Sequence, residues 1–260
     1  VFENKKETDP LQFKFSKEIV FKKVFYKYLA KEDFTLRNIN LVIQKGKSIG
    51  IYGRSGAGKS TLLNLITGLI DPSEGEILVD GKKIINNYAY LTQNISYVPQ
   101  DNFLFSESIR KNIEFGNPSS TMDEIINAAK LAEIDQEIRK FENGYETILG
   151  ERGVTLSGGQ AQRISIARSF IKDSEIYLFD DCFSSLDSDT EDRILKNLKN
   201  NFLNKTLIII SHRVSCVKHA DNIIVLDNGK VIQSGNHKEL SKNEGYYKDL
   251  YLKQNSDINE

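Results

Sequence analysis

The chain has 260 residues, 39% hydrophobic and 27% charged, a composition typical of a globular protein that is large enough for one α/β domain or for a domain with a subdomain. Its formal net charge of −1 provides no basic field, so we expect no nucleic-acid partner. Two distant cysteines and three histidines predict neither a disulfide framework nor a metal cluster built on those residues.

The first segment, residues 1–17, is charged and has no clear period, which predicts a linker. The chain begins with Val rather than Met and shows no signal-peptide pattern, so we expect a soluble fragment or processed chain from a reducing compartment. The longest apolar runs, such as residues 207–210, have the length of a strand and are too short to span a membrane.

The next part of the chain carries strand patterns. Residues 19–26 predict strands at a sheet edge, and residues 34–36 and 39–43 predict a strand pair. Further apolar runs bounded by turn signals predict strands at 48–52, 76–81 and 95–100.

From residue 106 to about 140 the pattern becomes helical, with the apolar residues of 122–141 at helical spacing. We therefore expect a helical subdomain at 105–156, inserted into an α/β core made of 18–104 and 157–260. Beyond the insertion, strands alternate with helices, which predicts a mostly parallel sheet covered on both faces. The helices are predicted at 157–171, 190–200 and 239–253, the strands at 175–179 and 207–210, and a hairpin at 223–234.

A glycine-rich loop follows the predicted strand at 48–52. Its sequence at 53–61, Gly-Arg-Ser-Gly-Ala-Gly-Lys-Ser-Thr, has the pattern of a phosphate-binding P-loop rather than of an ordinary turn. The glycines let backbone N–H groups converge on an anion, and the helix that begins near Lys59 adds its positive end. Lys59 then holds the β- and γ-phosphates, and Ser60 ligates Mg²⁺. The predicted nucleotide-binding residues of this loop are Gly53, Ser55, Gly56, Gly58, Lys59, Ser60 and Thr61.

A second motif selects among the classes of P-loop protein. In Leu156-Ser157-Gly158-Gly159-Gln160 the serine and glutamine have capping-box spacing, which predicts a helix N-terminus and a second anion site. The pentapeptide alone also fits an ordinary capped helix. Together with the P-loop it resembles the signature motif of ATP-binding cassette (ABC) proteins, and the resemblance covers residues 19–254.

This resemblance implies the ABC-ATPase fold, with an antiparallel β edge subdomain, and a dimer. In the family, two subunits enclose two ATP molecules, and the signature of one closes over the γ-phosphate on the P-loop of the other. The signature residues that would contact ATP are Ser157, Gly158, Gly159 and Gln160.

By the same resemblance, Tyr28 stacks on adenine, and Gln100 senses Mg²⁺ and the attacking water. Asp180 ends the Walker B strand and anchors Mg²⁺, so that Ser60, Gln100 and Asp180 form the predicted metal set. Residues 185–187 match the D-loop, and His212 matches the switch histidine. The alternatives are a core tyrosine beside Tyr26, a polar turn residue at position 100 and a structural histidine.

Other segments resemble the exporter branch of the family. Residues 150–153 match a loop that touches the coupling helices of a transmembrane domain, and residues 100–105 and 108–113 match the exporter pattern near the Q-loop. The resemblance implies a cassette at the cytoplasmic face of a cell membrane that powers substrate export. In such proteins a transmembrane domain usually precedes the cassette on the same chain, so the linker expected at 1–17 would lead from that domain. The sequence does not identify the transported substrate.

One position departs from the family pattern. Where the family has glutamate after the Walker B aspartate, this chain has Asp181, which is one methylene shorter. A misplacement of roughly 1 Å can reduce a rate about a hundredfold. Asp181 beside an intact signature favours a heterodimer in which this site is slow, and the alternative is a homodimer in which aspartate suffices. The predicted catalytic residues are Lys59, Gln100, Asp181 and His212.

Three other functions remain open from the sequence. The chain could be a regulatory module that holds ATP and serves the site of a partner, a non-transport ABC ATPase, or the ATPase subunit of an importer. The near-neutral charge and residues 150–153 disfavour the second, and the exporter-type segments disfavour the third. The signature motif excludes kinases and GTPases.

Overall fold

The computed structural model describes residues 15–29, 32–83, 93–150 and 153–256. The predicted linker at 1–17 therefore lies almost wholly outside the described residues. The chain forms two compact units, one made of 1–95 and 204–260 and the other of 96–203. Within the described residues, no helix combines the length and apolar character needed to cross a bilayer.

In chain order, the strands are β1 (Glu18–Tyr26), β2 (Leu36–Gln44), β3 (Ser48–Tyr52), β4 (Glu74–Val79), β5 (Lys82–Lys83), β6 (Ile95–Val98), β7 (Ile176–Asp180), β8 (Thr206–Ser211), β9 (Asn222–Asp227) and β10 (Lys230–Gly235). The helices are α1 (Lys59–Ile66), α2 (Ile109–Glu114), α3 (Met122–Leu131), α4 (Asp135–Ile138), α5 (Gly158–Phe170), α6 (Ser188–Asn201), α7 (Val214–Val217), α8 (His237–Leu240) and α9 (Tyr246–Ser256), with a short 3₁₀ turn at Gly144–Glu146.

The first unit contains an antiparallel sheet in the order β2-β1-β4-β5. The prediction of edge strands at 19–26 is wrong in one respect, because β1 pairs with a strand on each side. The predicted strand pair at 34–43 is also wrong, since β2 is one continuous strand. Asn38 has a left-handed φ of 53°, and the β1–β2 register shifts in this region. This bulge lets Leu36 and Ile39, three positions apart, both face the core at 0% exposure.

The same unit contains the parallel strands that carry the P-loop. β3 pairs in parallel with β8 and β9, and β10 pairs antiparallel with β9, so the predicted α/β fold with parallel core strands is confirmed. Every residue of β8 is buried, as expected for a strand covered on both faces. The predicted hairpin turn has φ of 45° at Asn228 and 73° at Gly229, the left-handed pair of a tight hairpin.

The C-terminal helix predicted at 239–253 is divided in the structure. It forms α8 and α9, which are separated near Gly245, a residue with a φ of 145° that glycine alone adopts readily. Tyr247 of α9 is fully buried, and its hydroxyl lies 2.8 Å from Nδ1 of His237. The last helix is therefore fixed to its own unit by a buried aromatic side chain.

The second unit contains the helical segment that the sequence predicts after residue 105. The predicted helical run at 122–141 is interrupted, because Glu133 adopts a left-handed φ of 57° between α3 and α4. A capping box of Thr121 and Glu124 opens α3. In the same unit β7 lies beside β6, and its first four residues are buried.

Candidate functional site

The P-loop connects β3 to α1 in the first unit, as predicted. Nζ of Lys59 donates to the carbonyl oxygens of Gly53 at 2.8 Å and Arg54 at 3.0 Å. The lysine at the end of the loop thus stabilises the backbone at its start. A Cβ at Gly53 would lie 2.4 Å from the carbonyl oxygen of Leu226. Gly58 has a left-handed φ of 103°, and this geometry disfavours any larger residue at either glycine.

The start of α1 is suited to a phosphate group. No side chain caps its first turn, and no acidic residue lies there. The first-turn N–H groups of a helix have no intrahelical acceptors, and together with the helix dipole they favour an anion beside the Lys59 ammonium. Ser55, Gly56 and Ser60 are exposed on the loop, whereas Thr61 is buried. The loop therefore fits a phosphate chain, and the Ser60 hydroxyl is accessible to a divalent cation.

Tyr28 lies close to the P-loop. Its hydroxyl is 3.1 Å from Oγ1 of Thr61, and its ring packs edge-on against Tyr26 with centroids 4.9 Å apart. The ring is half-buried, so part of it remains accessible. The structure thus joins two predicted ATP-binding residues, Tyr28 and Thr61.

His212 belongs to the same unit and follows β8 directly. It is exposed, and its carbonyl oxygen accepts a hydrogen bond from Nε2 of Gln254 at 2.9 Å. The next amide, that of Arg213, donates to Oγ of Ser211 at 3.1 Å. The histidine therefore extends from a loop whose backbone is held by side chains on both sides.

The second unit carries the predicted carboxylates at the end of β7. Asp180 is partly exposed and its Oδ2 accepts from the Tyr97 hydroxyl at 3.3 Å. Partial burial, followed by the Asp180 carboxylate, raises the pKa of Tyr97, so the phenol stays a donor at neutral pH. Sequence reasoning missed this pair, because Tyr97 lies on β6, far from Asp180 along the chain.

Asp181 has an unusual backbone conformation. It is only 8% exposed and adopts a left-handed φ of 46°. Aspartate tolerates this region better than most residues, and strained backbone of this kind clusters at functional sites. Gln100, the other predicted catalytic residue of this unit, is exposed just after β6.

The signature residues form the capping box that the sequence predicts. The amide of Gln160 donates to Oγ of Ser157 at 3.2 Å, and the amide of Ser157 donates to Oε1 of Gln160 at 3.0 Å. Ser157 and Gly158 are exposed at the start of the 13-residue helix α5. Gly159 lies so close to the carbonyl oxygen of Ser185 that a Cβ would stand 3.2 Å from it.

A carboxylate from α4 fixes the signature glutamine. Glu137 accepts from Nε2 of Gln160 at 2.9 Å and from Arg163 at 2.6 Å. Burial would raise the pKa of Glu137, but the hydrogen bonds from Arg163 and Gln160 outweigh burial and lower it. The carboxylate is therefore ionised at neutral pH. No sequence signal pointed to Glu137, because its contact with α5 depends on the packing of the helices.

An exposed aromatic cluster lies elsewhere in the second unit. The rings of Phe103 and Phe105 are 5.1 Å apart, those of Phe105 and Phe115 are 4.7 Å apart, and the Arg168 guanidinium lies over the last two. Phe103 is 64% exposed and Phe115 is 62% exposed. Of the predicted exporter loop at 150–153, residues 151 and 152 lie outside the described residues.

Comparison with known proteins identifies relatives of this chain. A family model described as ABC transporter matches residues 36–184. The alpha-hemolysin translocation ATP-binding protein HlyB of Escherichia coli is 45% identical over 236 residues, which cover 90% of this chain and 33% of HlyB. The putative multidrug export ATP-binding/permease protein YgaD of Bacillus subtilis is 42% identical over 238 residues, which cover 91% of this chain and 41% of YgaD.

The chain is also similar to a solved structure. A bacterial Atm1-family ABC exporter with ATP bound matches with a TM-score of 0.86 and 37% identity, over 92% of this chain and 42% of the solved chain. The chain thus spans less than half the length of these relatives.

Proposed function

The chain belongs to the ABC transporter family, and on that basis we propose that it is the ATP-binding and ATP-hydrolysing cassette of an exporter. The match to this family confirms three predictions made from the sequence: the ABC family, its fold and an ABC-type ATPase. The observation that most strongly supports activity in this chain is the uncapped start of α1 beside Lys59, which is suited to phosphate.

The export function rests on the relatives. HlyB and YgaD carry translocation and export in their names, and both are more than twice as long as this chain. We therefore assign the cassette to the cytoplasmic face of a membrane, together with a transmembrane domain. Within the cassette, 18–104 and 157–260 would form the α/β core and 105–156 the helical subdomain.

Residues of the first unit would bind the phosphates and the adenine of ATP. Lys59 neutralises the β- and γ-phosphates, and the N–H groups of the loop and of α1 hold their oxygens. Tyr28 offers a half-buried aromatic face for adenine. Ser60, Gln100 and Asp180 are the residues that would hold Mg²⁺, which, when bound, stabilises negative charge on the phosphates.

The proposed hydrolytic step uses the residues that match the catalytic positions of the family, which surround the γ-phosphate. Asp181 polarises the attacking water for in-line displacement, and His212 orients the γ-phosphate. The signature of the second subunit closes over this γ-phosphate. Its Ser157 hydroxyl and the N–H groups of its Gly158 and Gly159 stabilise the negative charge on the γ-phosphate during transfer. The Gln160 bond to Glu137 keeps the start of α5 in one geometry, which agrees with that role.

Two surfaces concern partners. A second ABC cassette would face the signature, and Asp181 in place of glutamate favours a different chain as that partner. The aromatic cluster, in which Phe103 and Phe115 are exposed and Phe105 is half-buried, suits the coupling helices of a transmembrane domain, since exposed apolar patches mark interaction sites. The loop at 150–153 would share in that contact.

A regulatory module is the second candidate, and Asp181 is the observation that favours it. In that case the chain would bind ATP and supply its signature to the active site of a partner, with negligible turnover of its own. Turnover of this chain alone separates the two functions.

The signature assignment has a matched test in two capping boxes of the same unit. Ser157→Ala and Thr121→Ala each remove a capping hydroxyl, so each should lower the free energy of unfolding by about 1 kcal/mol. Only Ser157→Ala should lower steady-state ATP turnover, by about tenfold or more, because only its hydroxyl would contact the γ-phosphate. Equal turnover in the two variants would show that Ser157 merely caps its helix.

A further inference from the structure

One side chain joins three parts of the first unit that the sequence did not connect. Gln254, on the last helix, donates through Nε2 to the carbonyl oxygen of His212 at 2.9 Å and to the Tyr52 hydroxyl at 3.4 Å. Its Oε1 accepts from the amide of Val214 at 2.9 Å. The carboxamide therefore bridges the end of β3, the His212 loop and the start of α7.

The His212 loop needs such a partner. Only His212 and Arg213 separate β8 from α7, and the N-cap residue of α7, Arg213, makes no side-chain capping hydrogen bond. The Val214 amide lies at a helix N-terminus, where an intrahelical acceptor is lacking, and Val214 is 2% exposed. Oε1 of Gln254 supplies the missing acceptor. Because Nε2 holds the carbonyl group two residues earlier, the backbone on both sides of Arg213 is fixed.

The helix that carries Gln254 is itself firmly attached. Tyr247 packs its ring against that of Tyr52, with centroids 5.5 Å apart, and its amide donates to Oε1 of Gln233 at 2.9 Å. The Arg54 guanidinium of the P-loop lies over the Tyr246 ring at 5.2 Å. The last helix thus contacts the strand before the P-loop, the P-loop itself and the His212 loop.

The Tyr52 hydroxyl keeps its proton in this hydrogen-bond network. Burial, followed by the neighbouring Tyr246, raises the pKa of Tyr52 to about 12. The phenol therefore stays protonated at neutral pH, and its oxygen accepts the hydrogen bond from Gln254.

We propose that Gln254 is a positioning residue for His212, through which the last helix sets the place of the histidine relative to the strand that carries the P-loop. Gln254 acts on the His212 backbone and does not touch substrate. This inference rests on the proposed function, because it assumes that His212 acts in hydrolysis.

The contact can be tested without any activity. Gln254→Leu removes both polar atoms and leaves an apolar side chain that is one atom shorter. Leu252→Ala is the control, because Leu252 lies on the same helix and is 56% exposed. We expect hydrogen exchange of the Val214 amide to become about tenfold faster or more in Gln254→Leu and to be unchanged in Leu252→Ala. Unchanged exchange in both variants would overturn the proposal.

Turnover tests the positioning role through a double-mutant cycle of His212→Ala and Gln254→Leu in the full chain. Gln254→Leu should lower kcat about fivefold to tenfold and leave KM for ATP within about twofold, since a small displacement of a catalytic group affects the chemical step. In the His212→Ala background the same change should have no further effect.

The outcomes separate this inference from the proposed function. If His212→Ala leaves turnover unchanged, the proposed role of His212 in hydrolysis is wrong. If His212→Ala lowers turnover and Gln254→Leu does not, or if their effects multiply in the double variant, only the positioning role is wrong. If Gln254→Leu fails to fold, Gln254→Glu replaces it, because it keeps the acceptor for Val214 and loses the donor to His212. The same kcat loss, absent in the His212→Ala background, is then expected.

Discussion

Replacing Lys59 by alanine should weaken ATP binding about a hundredfold. The ammonium provides the compact positive charge for the β- and γ-phosphates, and hydrogen bonds between charged groups contribute about 1.5–3 kcal/mol, where each 1.4 kcal/mol is a factor of ten in affinity. Titration calorimetry with Mg·ATP measures the change directly.

The control for this variant is Lys47→Ala. Lys47 is an exposed lysine just before β3, whereas Lys59 follows the P-loop at the other end of that strand. Lys47→Ala should bind ATP like the natural chain. Unchanged affinity in Lys59→Ala would contradict the assignment of the P-loop lysine, provided that both variants unfold at temperatures near that of the natural chain.

Lengthening Asp181 to glutamate should raise steady-state ATP turnover tenfold or more, a change of about 1.4 kcal/mol in the barrier. The additional methylene places the carboxylate roughly 1 Å further forward, and displacements of that size can change rates about a hundredfold. Nucleotide affinity should stay unchanged, because no residue that would hold the phosphates or Mg²⁺ is altered.

The backbone at Asp181 requires a stability control, since glutamate adopts a left-handed φ less readily than aspartate. We expect a small loss in unfolding temperature together with the gain in turnover. A tenfold gain would mark the natural site as slow and favour a different chain as the partner. Similar turnover in both proteins would show that aspartate suffices and would favour a homodimer.

The parts of this structure that the sequence predicted are local. The P-loop at 53–61 and the capping box of Ser157 and Gln160 depend on residues within one turn of each other, so their spacing determines their geometry. The hairpin at Asn228 and Gly229 was predictable for the same reason. As these local rules predict, the P-loop precedes α1 and Ser157 is the N-cap of α5.

The parts that the sequence missed depend on backbone irregularities and on long-range contacts. Periodicity did not reveal the bulge at Asn38 or the helix breaks near Glu133 and Gly245, where a left-handed residue interrupts an otherwise regular pattern. The contacts of Tyr97 with Asp180 and of Gln254 with His212 join residues 83 and 42 positions apart. Only the packed structure shows which of these polar groups meet.

Phosphate release as a function of chain concentration is the most direct test of hydrolysis at sites shared between two cassettes. With a typical kcat of about 10 s⁻¹ reduced about a hundredfold by the short Asp181, we expect about 0.1 s⁻¹. The rate per chain should rise with concentration as the sites pair, and Lys59→Ala should reduce it to background. A rate per chain that is independent of concentration, or release that persists in Lys59→Ala, would contradict a shared P-loop and signature site.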